Sequence, residues 1–194
     1  MRTVVLVSGG GSNLQALLDS CKIAKIVGVI SNEPDAFALT RARRAGVPSE
    51  VLCHRDFPSR EAYDEALVQR VETYDPGLVV LAGFMRILTP VFVKRFLGQI
   101  LNIHPALLPA FRGLHTHARA LAAGVQEHGA SVHFVTEELD GGPVILQAKV
   151  PVFPGDTETT LAARVLTEEH KIYPRVVESF AGGRLRLGSI PSEC

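Results

Sequence analysis

Short apolar runs alternate with helix-spaced apolar positions through the first hundred residues. Thr3-Val4-Val5-Leu6-Val7 and Leu78-Val79-Val80-Leu81 are continuous apolar segments, the pattern of strands covered on both faces. Lys25 to Ile30 reads as a second strand and Val51-Leu52 as a short third one. Between them, Leu14, Leu17 and Leu18 mark one helix, and Ala36 to Ala45 a second with Gly46 as its stop. Ser59 is placed to cap a helix running towards Glu72, and Asp75-Pro76-Gly77 turns the chain into Leu78. Thr89-Pro90 reads as an N-cap with proline at the first helical position, opening a helix to about Phe96. Ile100 to Ile103 is the next strand. This succession predicts an α/β, Rossmann-like domain with a mostly parallel twisted sheet and helices on both faces.

The second half changes style. Ser131 to Val135 and Val144 to Lys149 are strand-like, and the short polar loop between them leaves no room for a crossover helix. They are therefore expected to form an antiparallel C-terminal pair. A long helix should start after Asp156-Thr157 and run to about Ser179, kinked or interrupted at Pro174. Gly182-Gly183 and Pro191 suggest a short closing strand or tail.

Length and charge then narrow the picture. With 194 residues the chain suits one domain with a substantial core. Its 20 Lys and Arg balance 20 Asp and Glu, so no nucleic-acid stripe or membrane-binding surface is advertised. Cys21, Cys53 and Cys194 are widely separated and odd in number, which fits a reducing compartment better than a disulfide framework. Met1 to Val5 runs directly into an apolar strand without signal-peptide features, and no stretch is long enough to span a membrane. A cytoplasmic protein is expected.

The candidate chemistry lies where the apolar run at Ile100-Leu101 ends. Asn102 and His104, two residues apart, would leave a strand on the same face. One is an uncharged amide donor and the other can titrate. Aimed at one point, they suit a reaction in which a carbonyl oxygen gains negative charge while a nearby nitrogen loses a proton. Asp140, in the glycine-rich run Asp140-Gly141-Gly142-Pro143, is the natural third member, able to fix the tautomer of His104 and stabilise its protonated form. Taken alone, a histidine before a proline is more often structural and Asp-Gly only a turn signal.

Gly9-Gly10-Gly11-Ser12-Asn13 sits between a buried strand and a helix. Free backbone N–H groups and the helix dipole there favour a single phosphate monoester. The dinucleotide and nucleoside-triphosphate fingerprints are both incomplete, since Leu14 occupies the third-glycine position and no Gly-Lys-Ser/Thr follows. The plainer alternative is a glycine turn that tightens strand–helix packing. Gly83 to Leu88 mixes a flexible apolar lining with Arg86, which suits a flat, partly polar heterocycle. His115-Thr116-His117 lacks the partners of a metal site; loop or exposed histidines are the reading, and no metal is expected.

These motifs, in this order, resemble the folate-dependent phosphoribosylglycinamide formyltransferase family over nearly the whole chain. The resemblance rests on Val4 to Ala16, Ala82 to Leu88, Leu101 to Pro109, Gly113 to His117, Gly129 to Val135 and Asp140 to Gln147. It implies transfer of a formyl group from 10-formyltetrahydrofolate, a co-substrate, to the amine of phosphoribosylglycinamide in purine biosynthesis. It places the catalytic trio on Asn102, His104 and Asp140, and the ribonucleotide on Gly11, Ser12, Asn13 and Glu169. The folate falls against Arg60, Met85, Arg86, Ile87, Leu88 and Asn102, and against the loop Thr136 to Asp140 that includes Glu137. His133 matches a family histidine near the site. One domain over residues 1–194 is implied, with a phosphate-binding half at about 1–100 and a folate and catalytic half at about 80–194. Small molecules are the implied partners of a monomer or homodimer. Ala106, Ala110, Arg112, a shortened stretch near Cys21 to Ile26, and Leu166 depart from the family pattern; at Leu166 members can carry a polar residue facing the ribonucleotide.

Two rivals follow from the same residues. A formyltransferase acting on charged initiator tRNA would share the trio but needs an added basic domain. A non-catalytic nucleotide-binding module would not need the trio at all.

Overall fold

The two-sided apolar strands are buried as their patterning requires. In a computed structural model that describes residues 1–188, β1 (Arg2–Val7), α1 (Ser12–Ser20), β2 (Lys25–Ser31), α2 (Phe37–Arg44) and β3 (Ser49–Val51) open the fold. They are followed by α3 (Arg60–Glu72), β4 (Leu78–Leu81), α4 (Pro90–Arg95) and β5 (Ile100–His104). α5 (Thr116–Ala122), β6 (Glu127–Phe134), β7 (Val144–Pro151) and α6 (Glu158–Ala181) complete it. The seven strands form one sheet in the order β3-β2-β1-β4-β5-β6-β7. Along β1, Val5 and Val7 join the core under α1, α2 and α6, while Val4 and Leu6 join the core under α3 and α4. A period-two strand with both sets apolar demands helices on both sides.

β1 to β5 are parallel neighbours, and β6 and β7 return antiparallel. The antiparallel part is therefore one strand pairing larger than the C-terminal pair read from sequence, because β6 also pairs with β5. β1 lies between β2 and β4. The chain reverses direction across the sheet there, so a crevice opens at the carboxyl ends of β1 and β4, the usual ligand position in open α/β sheets.

Local signals explain most boundaries. The Ser59 hydroxyl accepts from Ala62 N at 3.1 Å, and Gly46 takes the left-handed φ of 69° just past α2. Thr157 and Thr160 form a reciprocal capping box at the start of α6. Thr89 does occupy the N-cap of α4, but its hydroxyl does not cap; its backbone N–H donates to the Asp64 carboxylate at 2.5 Å instead. Pro174 does not interrupt α6, which is one helix of 24 residues. The missing N–H is tolerated because the surrounding turns, Ile172, Tyr173, Val176 and Val177, are buried against the sheet. α5 was not foreseen from the sequence, and β6 begins four residues before the predicted Ser131. Pro191 lies outside the described residues.

Candidate active site

Asn102 and His104 end β5 on the same face and open into one cavity of about 750 Å³. The cavity is also lined by Asp140, His133, Asn13, Glu169, Arg60, Met85, Arg86, Ile87 and Leu88, and by Thr136 to Leu139. Nearly all the residues singled out from sequence thus meet in one crevice. Gly11, Ser12 and Leu166 do not line it. Gly11 and Ser12 sit just beyond Asn13, where Gly11 adopts a left-handed φ of 72° and precedes the first turn of α1. That conformation favours glycine, and a Cβ there would come within 2.6 Å of the Ala38 Cβ.

The antiparallel register brings His133 on β6 opposite Asn102 on β5. His133 Nδ1 donates to the Phe134 carbonyl at 2.9 Å, which leaves Nε2 of the neutral ring as an acceptor. Asn102 Nδ2 donates to it at 3.2 Å. Burial holds the His133 pKa below its ordinary value, keeping the ring neutral. His133 therefore fixes the Asn102 amide and uses only one of its two N–H bonds. The other remains for a substrate oxygen.

His104 is buried, with 5% exposure, and both ring nitrogens face oxygen. Nε2 lies 2.9 Å from the Phe111 carbonyl and Nδ1 lies 3.4 Å from Asp140 Oδ2. Two acceptors around one imidazole suit a ring that donates on both sides. Asp140 is itself fixed by the Gly113 N–H at 2.9 Å and takes a left-handed φ of 48°. Gly142 closes the loop: a Cβ there would collide with the Phe134 carbonyl oxygen. Loop closure by Phe111 and Gly113 has no sequence signal, since it depends on where residues 105–115 fold back over β5.

At the opposite end of the cavity Asn13 Nδ2 donates to Glu169 Oε2 at 2.7 Å. Burial raises the Glu169 pKa, and the Asn13 hydrogen bond offsets part of that rise. On the third side Arg60 Nη2 donates to the Ile87 carbonyl at 2.6 Å, and the Arg86 guanidinium stacks 4.7 Å above the Tyr63 ring. Met85 and Ile87 are 67% and 54% exposed, an apolar rim in search of a flat partner. Sequence reading missed Leu114, which lines the cavity, and two residues that support it, Tyr63 under Arg86 and Phe111 against His104.

His115 is exposed at the end of the loop before α5, as read from the sequence, whereas His117 is half-buried in the helix. His115 holds a left-handed N-cap position, while His117, in the first turn of α5, faces the buried His128 with nitrogens 3.2 Å apart. Burial pushes the His128 pKa down to about 4 and also lowers that of His117. Among the described residues no group of three or more His, Cys, Asp or Glu side chains is arranged to hold a metal. Nor is any helix among them long and apolar enough to cross a membrane.

Strand-end side chains for acyl chemistry, set at the switch point of an open α/β sheet beside an anion-type glycine loop, define a class of group-transfer enzyme. Residues 1–177 match the sequence profile described as formyl transferase, and the chain belongs to that family. It is 60% identical over 191 residues to the phosphoribosylglycinamide formyltransferase of Escherichia coli (strain K12), covering 96% of this chain and 90% of that protein. The protein of the same name from Haemophilus influenzae is 48% identical over 190 residues, with the same coverage of 96% and 90%. Among solved structures, glycinamide ribonucleotide transformylase 1 from Symbiobacterium toebii superposes with a TM-score of 0.93 at 49% identity, covering 95% of this chain and 89% of that one.

Proposed function

We propose that this protein transfers the formyl group of 10-formyltetrahydrofolate to the amine of phosphoribosylglycinamide, a step of purine biosynthesis. The observation that carries the reading is the single cavity running from Asn13 and Glu169, past Asn102, His104 and Asp140, to Arg60 and Arg86. The ribonucleotide phosphate sits on the backbone N–H groups of Gly11, Ser12 and Asn13, and Glu169 receives the ribose-phosphate part. The folate lies along Met85 to Leu88 and Thr136 to Asp140, including Glu137, with Arg60 towards its carboxylate tail. The phosphate-binding half is residues 1–100 and the folate and catalytic half 80–194 of one domain. The enzyme acts on small molecules in the cytoplasm, as a monomer or homodimer.

The amine attacks the formyl carbon, and the formyl oxygen gains negative charge. The free N–H of Asn102 donates to that oxygen, and His104 donates a second hydrogen bond as the oxygen displaces the Phe111 carbonyl from Nε2. Asp140 steadies the charged imidazole from the Nδ1 side, and its second oxygen offers a water-borne route for the proton that moves from the amine to the leaving folate nitrogen. No covalent enzyme intermediate is needed.

The test mixes enzyme and 10-formyltetrahydrofolate with either phosphoribosylglycinamide or charged initiator tRNA and follows deformylation by absorbance. Turnover with the ribonucleotide alone, undiminished by exhaustive chelation, is the expected result. Turnover only with tRNA would overturn the assignment, and loss of activity on chelation would overturn its metal independence.

A further inference from the structure

Ser8 joins the two ends of the site without touching the chemistry. It is the first residue after β1 and leads directly into Gly9-Gly10-Gly11. Its hydroxyl donates to Asn32 Oδ1 at 2.5 Å and accepts the backbone N–H of Met85 at 2.7 Å. The polarity follows from how the amide is turned. Asn32, only 2% exposed just after β2, points its Nδ2 towards Glu33 Oε1 at 3.5 Å and His54 Nδ1 at 3.2 Å. Its carbonyl oxygen is thereby presented to Ser8 and takes the hydroxyl proton, so a lone pair is left for Met85. His54 packs edge-on to Tyr63 at 6.5 Å, and Tyr63 lies under Arg86.

The segment Gly83 to Leu88 is otherwise irregular. Arg60 reaches it at Ile87 from α3, and Asp64, also on α3, holds Thr89 just after it. Ser8 is the hydrogen-bonding anchor that reaches it from the phosphate-loop side of the crevice. One hydroxyl thus sets where Met85 stands and where the glycine loop departs from β1.

We propose that Ser8 is a positioning residue that couples the ribonucleotide and folate subsites, so that filling either one improves affinity for the other. The inference rests on the functional reading above, which assigns those two subsites. Ordering the glycine loop around a phosphate restrains Ser8, and Ser8 restrains Met85 and the folate wall that follows it. Because coupling between sites is reciprocal, the folate must tighten the ribonucleotide by the same factor.

Tetrahydrofolate carries no formyl group, so its equilibrium binding can be titrated with and without phosphoribosylglycinamide present. In the wild-type enzyme each ligand should tighten the other severalfold. Ser8→Ala, which leaves Met85 N–H and Asn32 Oδ1 without this partner, should weaken both ligands by about fivefold to tenfold, the scale of one lost hydrogen bond. It should also bring the coupling factor close to one and leave kcat within about threefold, a range far smaller than loss of a catalytic donor. Ser8→Thr, which keeps the hydroxyl, should restore the coupling. A well-folded Ser8→Ala enzyme with wild-type coupling would overturn the proposal. If Ser8→Ala does not fold, Asn32→Ala, which frees the hydroxyl to rotate, takes its place with the same expectation and the same overturning result. A wild-type enzyme that binds neither ligand would overturn the functional reading rather than the role of Ser8.

Discussion

The carboxyl end of β1 and the carboxyl end of β5 are built on opposite principles. On the function proposed above, the working groups after β1 are the backbone N–H groups of Gly11 to Asn13, presented by a left-handed glycine and a helix start. After β5 they are the side chains of Asn102 and His104, each oriented by a second group: His133 for one, Asp140 and the Phe111 carbonyl for the other. The difference teaches where each site is vulnerable. A backbone site has no side chain to delete and is damaged only through loop shape. A side-chain site loses its function with one substitution, and its neighbours cannot supply the missing group.

The largest expected effect is therefore at β5. An oxyanion donor is typically worth ~10²–10³ in rate and general acid–base help ~10²–10⁴. Asn102→Ala, His104→Ala and Asp140→Asn should each lower kcat by such factors, with little change in thermal midpoint. Steady-state kinetics and calorimetry check this. Wild-type kcat in Asp140→Asn would show that the carboxylate facing His104 Nδ1 plays no part, and the contrast between the two strand ends would collapse.

The phosphate end should answer in KM instead. Gly11→Ala forces a left-handed backbone on alanine and drives a Cβ towards Ala38, a strain of about 1–2 kcal/mol that the loop relieves by shifting its donors. Glu169→Ala removes the partner of Asn13. Both should raise the KM for the ribonucleotide about tenfold, a loss of about 1.4 kcal/mol, and leave folate affinity nearly unchanged. A defect confined to the folate would place these residues in the wrong subsite.

The smallest effect separates the halves by pH. Burial lowers the pKa values of His117, His128 and His133, all on α5 and β6, with His128 at about 4. In the unfolded chain a histidine titrates near ~6.5, so the unfolded state binds more protons below that pH. The stability of this part is complete above about pH 6.5 and is lost as pH falls towards 4. Burial raises the Glu169 pKa, so its contribution has the opposite sign and is lost as pH rises above the usual carboxylate range. Acid should accordingly lower amide protection, measured as exchange relative to the intrinsic rate at the same pH, in α5 and β6 before β1 and β2. Protection falling first in β1 would remove the histidines as the cause.

The chain's own pattern was sufficient for the parallel half of the fold. Continuous apolar strands, Gly46 past α2, Ser59 and Thr157 at helix starts are local features, and each element follows from residues within a few positions of it. The motifs carrying Asn102, His104 and Asp140 were legible for the same reason. What the sequence could not determine depends on contacts between distant segments. α5 has 7 residues and a left-handed His115 as its cap, so it is stable only through packing against α6 and the sheet. β6 starts with Glu127-His128-Gly129-Ala130, residues of low strand propensity that pair because β7 lies beside them. The antiparallel register alone set His133 against Asn102, and the fold-back of residues 105–115 alone brought the Phe111 carbonyl to His104. Ser8, Asn32 and Met85 are far apart in the chain and meet only because β1 lies between β2 and β4. Hydrophobic periodicity records which face of an element is buried, whereas the partner across that face is chosen by the whole sheet.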